Sequence, residues 1–359
     1  MDAAIVGLPL AGKTTTFDAL TSGHGSASGG ARGENIGVVK LPDERLEKLA
    51  ALVKAKKVTP LEFRLHDLPP LFQKGGPGVE ATESLSRADV LIHVIRAFER
   101  ADVPHPNGSV DPARDVREFD AEMLLADLGI VERRLERLDI AVRSARAGDR
   151  DENEREQKLL LTLKQHLDEG RRLSDCVTDP QELKLLGGFG FLTLKPALIV
   201  LNIGEGDLDR AGEMEEELAK VQASGSVAVV SLCAKLEAEL AELPDGEAAE
   251  FRAEMGAPEG AVARVLEKAG DLLGLVTFFT IGEKESRAWT VKEGSNAVQA
   301  AGRIHTDIER GFIRAEVIDW DQLLEAGSHA EARKRGQLRT EGRDYFVREG
   351  DVINVLFNV

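Results

Sequence analysis

The run Gly7-Leu8-Pro9-Leu10-Ala11-Gly12-Lys13-Thr14 follows the short apolar stretch Ala3–Val6 and leads into the helix-forming residues Thr14–Leu20. A G-x-x-x-x-G-K-T spacing set between a strand and a helix constrains this chain more than any other feature. Two glycines let the backbone wrap an anion with its N–H groups, and the helix N-terminus behind them adds a favourable dipole. Lys13 is placed to reach β- and γ-phosphates, and the Thr14 hydroxyl to complete a Mg²⁺ shell. The reading is a nucleotide site with Gly7, Pro9, Leu10, Ala11, Gly12, Lys13, Thr14 and Thr15 around the phosphates. Lys13 and Thr14 carry the catalytic electrostatics.

A strand leading into such a loop belongs to an α/β fold, and the chain continues in that way. Leu61, Phe63 and Leu65 alternate with polar residues, and Val90–Ile95, Ala197–Leu201 and Val227–Ser231 are further compact apolar runs. Strands at this spacing, separated by helical stretches, predict a doubly wound, mostly parallel sheet. Between Pro112 and Pro196 the period changes. Met123, Leu124, Leu128, Val131, Leu135, Leu138 and Val142 recur at helical spacing. A polar break at Gly148–Asn153 then precedes Leu159, Leu160, Leu163 and Leu167, predicting an inserted antiparallel helical hairpin. From about Leu275 the runs Val276–Ile281, Ala288–Val291, Phe312–Ile318, Tyr345–Val347 and Val352–Phe357, with one helix near Asn296–Glu309, predict a small α+β domain. The expected division is 1–114 with 193–275 for the nucleotide domain, 115–192 for the helical insertion and 276–359 for the last domain.

The 359 residues carry 46 basic and 63 acidic side chains, a net charge of −17, which excludes general coating of nucleic acid. Residues 276–359 account for only −2 of this, so any RNA contact is least disfavoured there. No stretch approaches the ~18 apolar residues of a membrane helix, and no basic leader precedes Ala3–Val6. With only Cys176 and Cys233, no disulfide framework or four-cysteine zinc site is available. A cytoplasmic monomer is expected.

After the strand Ala197–Leu201 comes Asn202-Ile203-Gly204-Glu205, where many GTPases carry Asn-Lys-x-Asp. Glu205 is one methylene longer than Asp, and Ile203 stands where lysine would stack on the base, so guanine selectivity is weakened. Ser231-Leu232-Cys233-Ala234-Lys235, after another strand, occupies the place of a base-supporting loop. The expected base site is Asn202, Ile203, Glu205, Ser231, Cys233 and Ala234. The C-terminal residues are the most specific: Arg287-Ala288-Trp289-Thr290, Gln299–Asp307, Gly311–Ala315 and the closing Val352–Val359. Together these resemble the YchF / Obg-like ATPases, a branch of the translation-factor-class P-loop NTPases. The resemblance implies a C-terminal β-grasp (TGS) domain, ATP bound at least as well as GTP, slow hydrolysis and association with ribosomes, on the large subunit.

Departures from that family gather around the γ-phosphate. Leu10 stands in place of an asparagine whose amide would hold a monovalent cation, so potassium stimulation is not expected. Ser22–Val39 contains no threonine for Mg²⁺, leaving water or a serine such as Ser28. Asp67-Leu68-Pro69-Pro70 replaces Asp-x-Ala-Gly; Asp67 still serves the Mg²⁺ shell through water, whereas Pro70 has no N–H to offer. Leu71 sits in the place of a water-orienting glutamine, and here the chain does not depart, since a hydrophobic residue at that place resembles the family itself. Two readings therefore stand: a slow NTPase, or a nucleotide-bound scaffold with negligible turnover. His93, Trp289 and Phe312 are read as packing residues, and Cys233 as a small buried side chain.

Overall fold

The computed structural model describes residues 1–21, 35–69, 71, 84–144, 147–222, 224–258 and 260–358, without the side chains of 143, 144, 147–149 and 245. Pro70 and Ser28 lie outside them. The chain forms two units, one of residues 1–39 with 64–272 and one of residues 40–63 with 273–359.

In chain order the first half runs β1 (Asp2–Val6), α1 (Lys13–Thr21), β2 (Asn35–Leu41), α2 (Glu44–Leu52), β3 (Val58–Thr59), β4 (Leu61–Asp67) and β5 (Val90–Arg96). It continues through α3 (Pro112–Ser144), α4 (Ala147–Asp168), β6 (Ala197–Asn202) and β7 (Val227–Leu232). The sheet of the first unit has the order β2-β4-β1-β5-β6-β7, with β4, β1, β5, β6 and β7 mutually parallel. Every residue of β5 and β6 is buried, which is why these strands read as mostly apolar runs, with His93 inside β5, and not as alternating ones. Parallel pairing puts the C-terminal ends of β1, β4, β5 and β6 at one edge, where α/β proteins hold their ligands.

α3 and α4 form the predicted antiparallel hairpin, 33 and 22 residues long. Val131 and Leu138 of α3 pack on Leu160, Leu163 and Leu167 of α4, with Leu173, Val177 and Phe191 closing the cluster. The expected break at Gly148–Asn153 is instead the first part of α4, because polar residues on an exposed helix face need not interrupt it. The hairpin root is fixed by Asp127, fully buried, which accepts from Leu192 N and Thr193 N at 2.8 Å and from Thr193 Oγ1 at 2.6 Å. Burial pushes its pKa up against these three bonds.

The second unit holds β8 (Leu275–Thr280), β9 (Ser286–Lys292), β10 (Phe312–Asp319), β11 (Arg339–Glu341) and β12 (Asp351–Phe357) in the order β11-β10-β12-β8-β9-β3. β12 lies parallel to β8, between two antiparallel pairs, which is the β-grasp arrangement. One face is covered by the helix Ala297–Ile304, held by a capping box between Asn296 and Gln299. The expected single helix near Asn296–Glu309 breaks at His305, whose extended backbone caps a second short helix, Thr306–Arg310.

Residues 40–63 differ from the expected division. That division places them in the nucleotide domain, but Leu46 and Leu49 of α2 pack on Phe279, Ala288, Ile318 and Val352 of the β-grasp sheet. α2 has nine residues, too few for stability alone, and burying two leucines contributes about 1.5–3 kcal/mol each. Tyr345–Val347 is not a strand: it makes only an isolated bridge, Phe346 to Asn296. Tyr345 instead donates its hydroxyl to Asp351 at 2.8 Å. Among the described residues, no helix is long and apolar enough to cross a membrane.

Candidate nucleotide site

The loop after β1 is set by backbone geometry before any side chain acts. Gly7 has φ +146° and Gly12 φ +92°, and a Cβ at either would lie 2.4 Å from Val94 O or 2.3 Å from Asn202 Nδ2. Only glycine fits both the torsion and the space. Leu10 also sits at positive φ, +64°, with its side chain 53% exposed. Lys13 opens α1 and donates to Gly7 O and Leu8 O, both at 3.1 Å. Burial lowers its pKa, while the nearby charge of Asp67 acts in the opposite direction.

Asp67 ends β4, 6% exposed, and accepts from Thr14 Oγ1 at 3.0 Å and from Asn35 Nδ2 at 3.4 Å. The structure thus brings Thr14 and Asp67 together. Asn35 is a newcomer from the threonine-free stretch. Hydroxyl and carboxylate oxygens suit a hard divalent cation that takes its remaining ligands from water and phosphate. No cluster of three His, Cys, Asp or Glu exists among the described residues.

Beside the loop lies a cavity of about 610 Å³ lined by Gly12, Thr15, Phe98, Asn202, Glu205 and Cys233, among others. Asn202, at the end of β6, clamps two loops: Nδ2 donates to Ala11 O at 3.0 Å, and Oδ1 accepts from Ala234 N at 3.2 Å. Glu205 accepts from Lys235 Nζ at 2.8 Å. Ile203 borders the cavity but is 3% exposed, its side chain in the core with Leu218 and Leu236. Cys233 is buried, and burial raises its thiol pKa, which lowers the share of reactive thiolate.

Ser231 is a correction. β7 continues through Leu232, so Ser231 is still in the strand and is not among the cavity's lining residues. Its N–H and hydroxyl donate to Glu215 at 2.7 and 2.6 Å, with Arg264 on the same carboxylate. Lys235, which closes the Ser231–Lys235 run, lines the cavity, and so do Phe98 and Arg100, which belong to no motif; an aromatic residue just past the C-terminal end of β5 is the signal that could have found Phe98.

Leu71 is 3% exposed, packed with Leu68, Phe119 and Met123. His93, on β5, is 2% exposed and stacks on Phe119 with ring centroids 3.8 Å apart. Phe312 is core, and Trp289 packs against it while carrying Arg287 over its ring at 4.1 Å.

Comparison with known proteins agrees with this architecture. A family model named YchF-GTPase_C, described as a protein of unknown function, matches residues 275–358. The ribosome-binding ATPase YchF of Bacillus subtilis is 37% identical over 370 residues, covering all of both chains. That of Pasteurella multocida is 38% identical over 362 residues, covering 99% of this chain and 98% of its own. The structure of the Schizosaccharomyces pombe YchF GTPase superposes with a TM-score of 0.84 at 26% identity, covering 99% of this chain and 97% of the other. With the phosphate loop, the β-grasp unit and full-length identity in agreement, this chain belongs to the YchF family.

Proposed function

We propose that this protein binds ATP with Mg²⁺ at Gly7–Thr15, hydrolyses it slowly, and acts as a cytoplasmic monomer on the large ribosomal subunit. The observation that carries the nucleotide reading is the convergence, at the C-terminal edge of one parallel sheet, of the glycine-built loop, Lys13, the Thr14–Asp67 pair and the Asn202-clamped cavity. The ribosomal part is supported by the relatives, which are named ribosome-binding ATPases.

Phosphate oxygens would take the Lys13 ammonium from the carbonyls of Gly7 and Leu8, exchanging neutral acceptors for charged ones. Thr14 and Asp67 would hold the cation, which when bound neutralises charge developing on the phosphates. For the base, Lys235 occupies one oxygen of Glu205. Guanine, with two adjacent N–H donors, is best met by a free carboxylate, whereas the single amino group of adenine needs only one oxygen. Phe98 provides an aromatic wall for either base.

The scaffold reading is favoured by one observation: Leu71 is packed away from the loop and has no group to orient water. Steady-state phosphate release, with and without ribosomes, separates the two. We expect slow ATP turnover that is equal in matched KCl and NaCl buffers, because Leu10 offers no oxygen to a monovalent cation. Several-fold stimulation by potassium would contradict the cation argument, and ATP binding without turnover in either setting would replace the enzyme with the scaffold.

A further inference from the structure

Arg96 closes β5 and is 3% exposed, yet none of its hydrogen bonds goes to a carboxylate. Its Nε donates to Phe98 O at 3.1 Å, Nη2 to Val103 O at 2.9 Å and Nη1 to Pro104 O at 3.5 Å. The guanidinium carbon also lies 4.6 Å from the centroid of the Phe98 ring. Burying a guanidinium is costly unless its N–H donors are met. Here they are met by the carbonyls of a single loop, which would otherwise be left without partners by its irregular path.

The loop has few other anchors. Ala97 N donates to Asn202 O at 2.9 Å, Val103 N to Arg100 O at 3.1 Å, and at its far end His105 Nε2 lies 2.9 Å from Asp115 Oδ2. Between these points, Phe98, Glu99 and Arg100 line the base-side cavity, while Arg96 does not. We infer that Arg96 is a positioning residue for nucleotide recognition: its guanidinium sets the Phe98 ring against the base without touching the nucleotide. The inference rests on the nucleotide reading above. It predicts that base recognition and phosphate recognition are separable, because the loop Gly7–Thr14 makes no hydrogen bond to Arg96. It also predicts that lysine is a poor substitute, since its single nitrogen cannot match the three separate nitrogens by which the planar fork reaches three carbonyls.

The test is calorimetric titration of the full chain with Mg-ATP and with tripolyphosphate, which shares the phosphates and lacks the base. In the wild type ATP should bind more tightly than tripolyphosphate; no difference would remove the base reading itself, before any variant is measured. Arg96→Met is expected to lose about 10-fold or more in ATP affinity and no more than about 2-fold for tripolyphosphate, with Arg96→Lys in between. Phe98→Leu should lose ATP affinity in the same selective way, and adding Arg96→Met to it should cost no more than about 2-fold further, since the two act through one contact. Should Arg96→Met not fold, Arg96→Lys carries the same comparison, with amide hydrogen exchange at residues 97–104 as the second readout. Unchanged ATP affinity, equal losses for both ligands, or additive effects with Phe98→Leu would each overturn the inference.

Discussion

Lys13→Ala is expected to weaken ATP binding by roughly 10- to 150-fold, the equivalent of losing charge-assisted hydrogen bonds worth ~1.5–3 kcal/mol, while the protein still melts at or near the wild-type temperature. Both halves follow from one geometry. Among the described residues the ammonium is held by hydrogen bonds to the carbonyls of Gly7 and Leu8 alone, so few of the fold's contacts depend on it. Its lowered pKa, caused first by burial, means that holding the charge there already costs the folded state some free energy. Removing that charge therefore subtracts from ligand binding and not from folding. Calorimetric titration and thermal melting of both proteins check this. Equal affinities at an unchanged melting temperature would contradict the placement of the phosphates at this loop.

Acid should destabilise this protein through His93. Burial, and then the charges of Arg172 and Lys13, lower its pKa from 6.5 to about 3, and its Nε2 has no hydrogen-bond partner among the described residues. The unfolded chain takes up a proton near pH 6.5, whereas the folded chain does not until about pH 3. The stabilisation tied to neutral His93 is thus complete above pH 6.5 and is lost as the pH falls through that value towards 3. Between pH 7 and pH 5 it amounts to about 2 kcal/mol. His93→Phe keeps a ring against Phe119 and cannot titrate. Urea unfolding at the two pH values should show the wild type losing about 2 kcal/mol more than the variant, and equal losses would contradict the assignment.

The phosphate loop was legible in the sequence because its chemistry is a backbone requirement. Gly7 and Gly12 stand where positive φ and close approach forbid any side chain, and such positions leave a mark in the sequence. The parallel sheet was legible for a similar reason, since β5 and β6 are buried on both faces and so read as apolar runs, broken only by His93 and by the closing Arg96 and Asn202. Long-range partners were not. The apolar face of α2 announces burial but not its partner, and nothing local to Leu46 or Leu49 names Phe279 or Ile318. The environment of Ser231 is likewise decided by Glu215, sixteen residues earlier in sequence and adjacent only in space. Arg96 illustrates the limit best: a charged residue ending an apolar strand reads as a solvated edge, and its burial depends on the carbonyls of a loop that has no motif.

Adenine-nucleotide recognition is the centre of this account, joining the loop, the Thr14–Asp67 pair and the cavity behind Phe98. Its most direct test is a titration of the wild-type chain with Mg-ATP and Mg-GTP under one set of conditions. The geometry of Glu205 and Lys235 predicts that ATP binds at least as tightly as GTP. GTP binding more than ~100-fold tighter, about 2.7 kcal/mol, or binding of neither nucleotide, would contradict it.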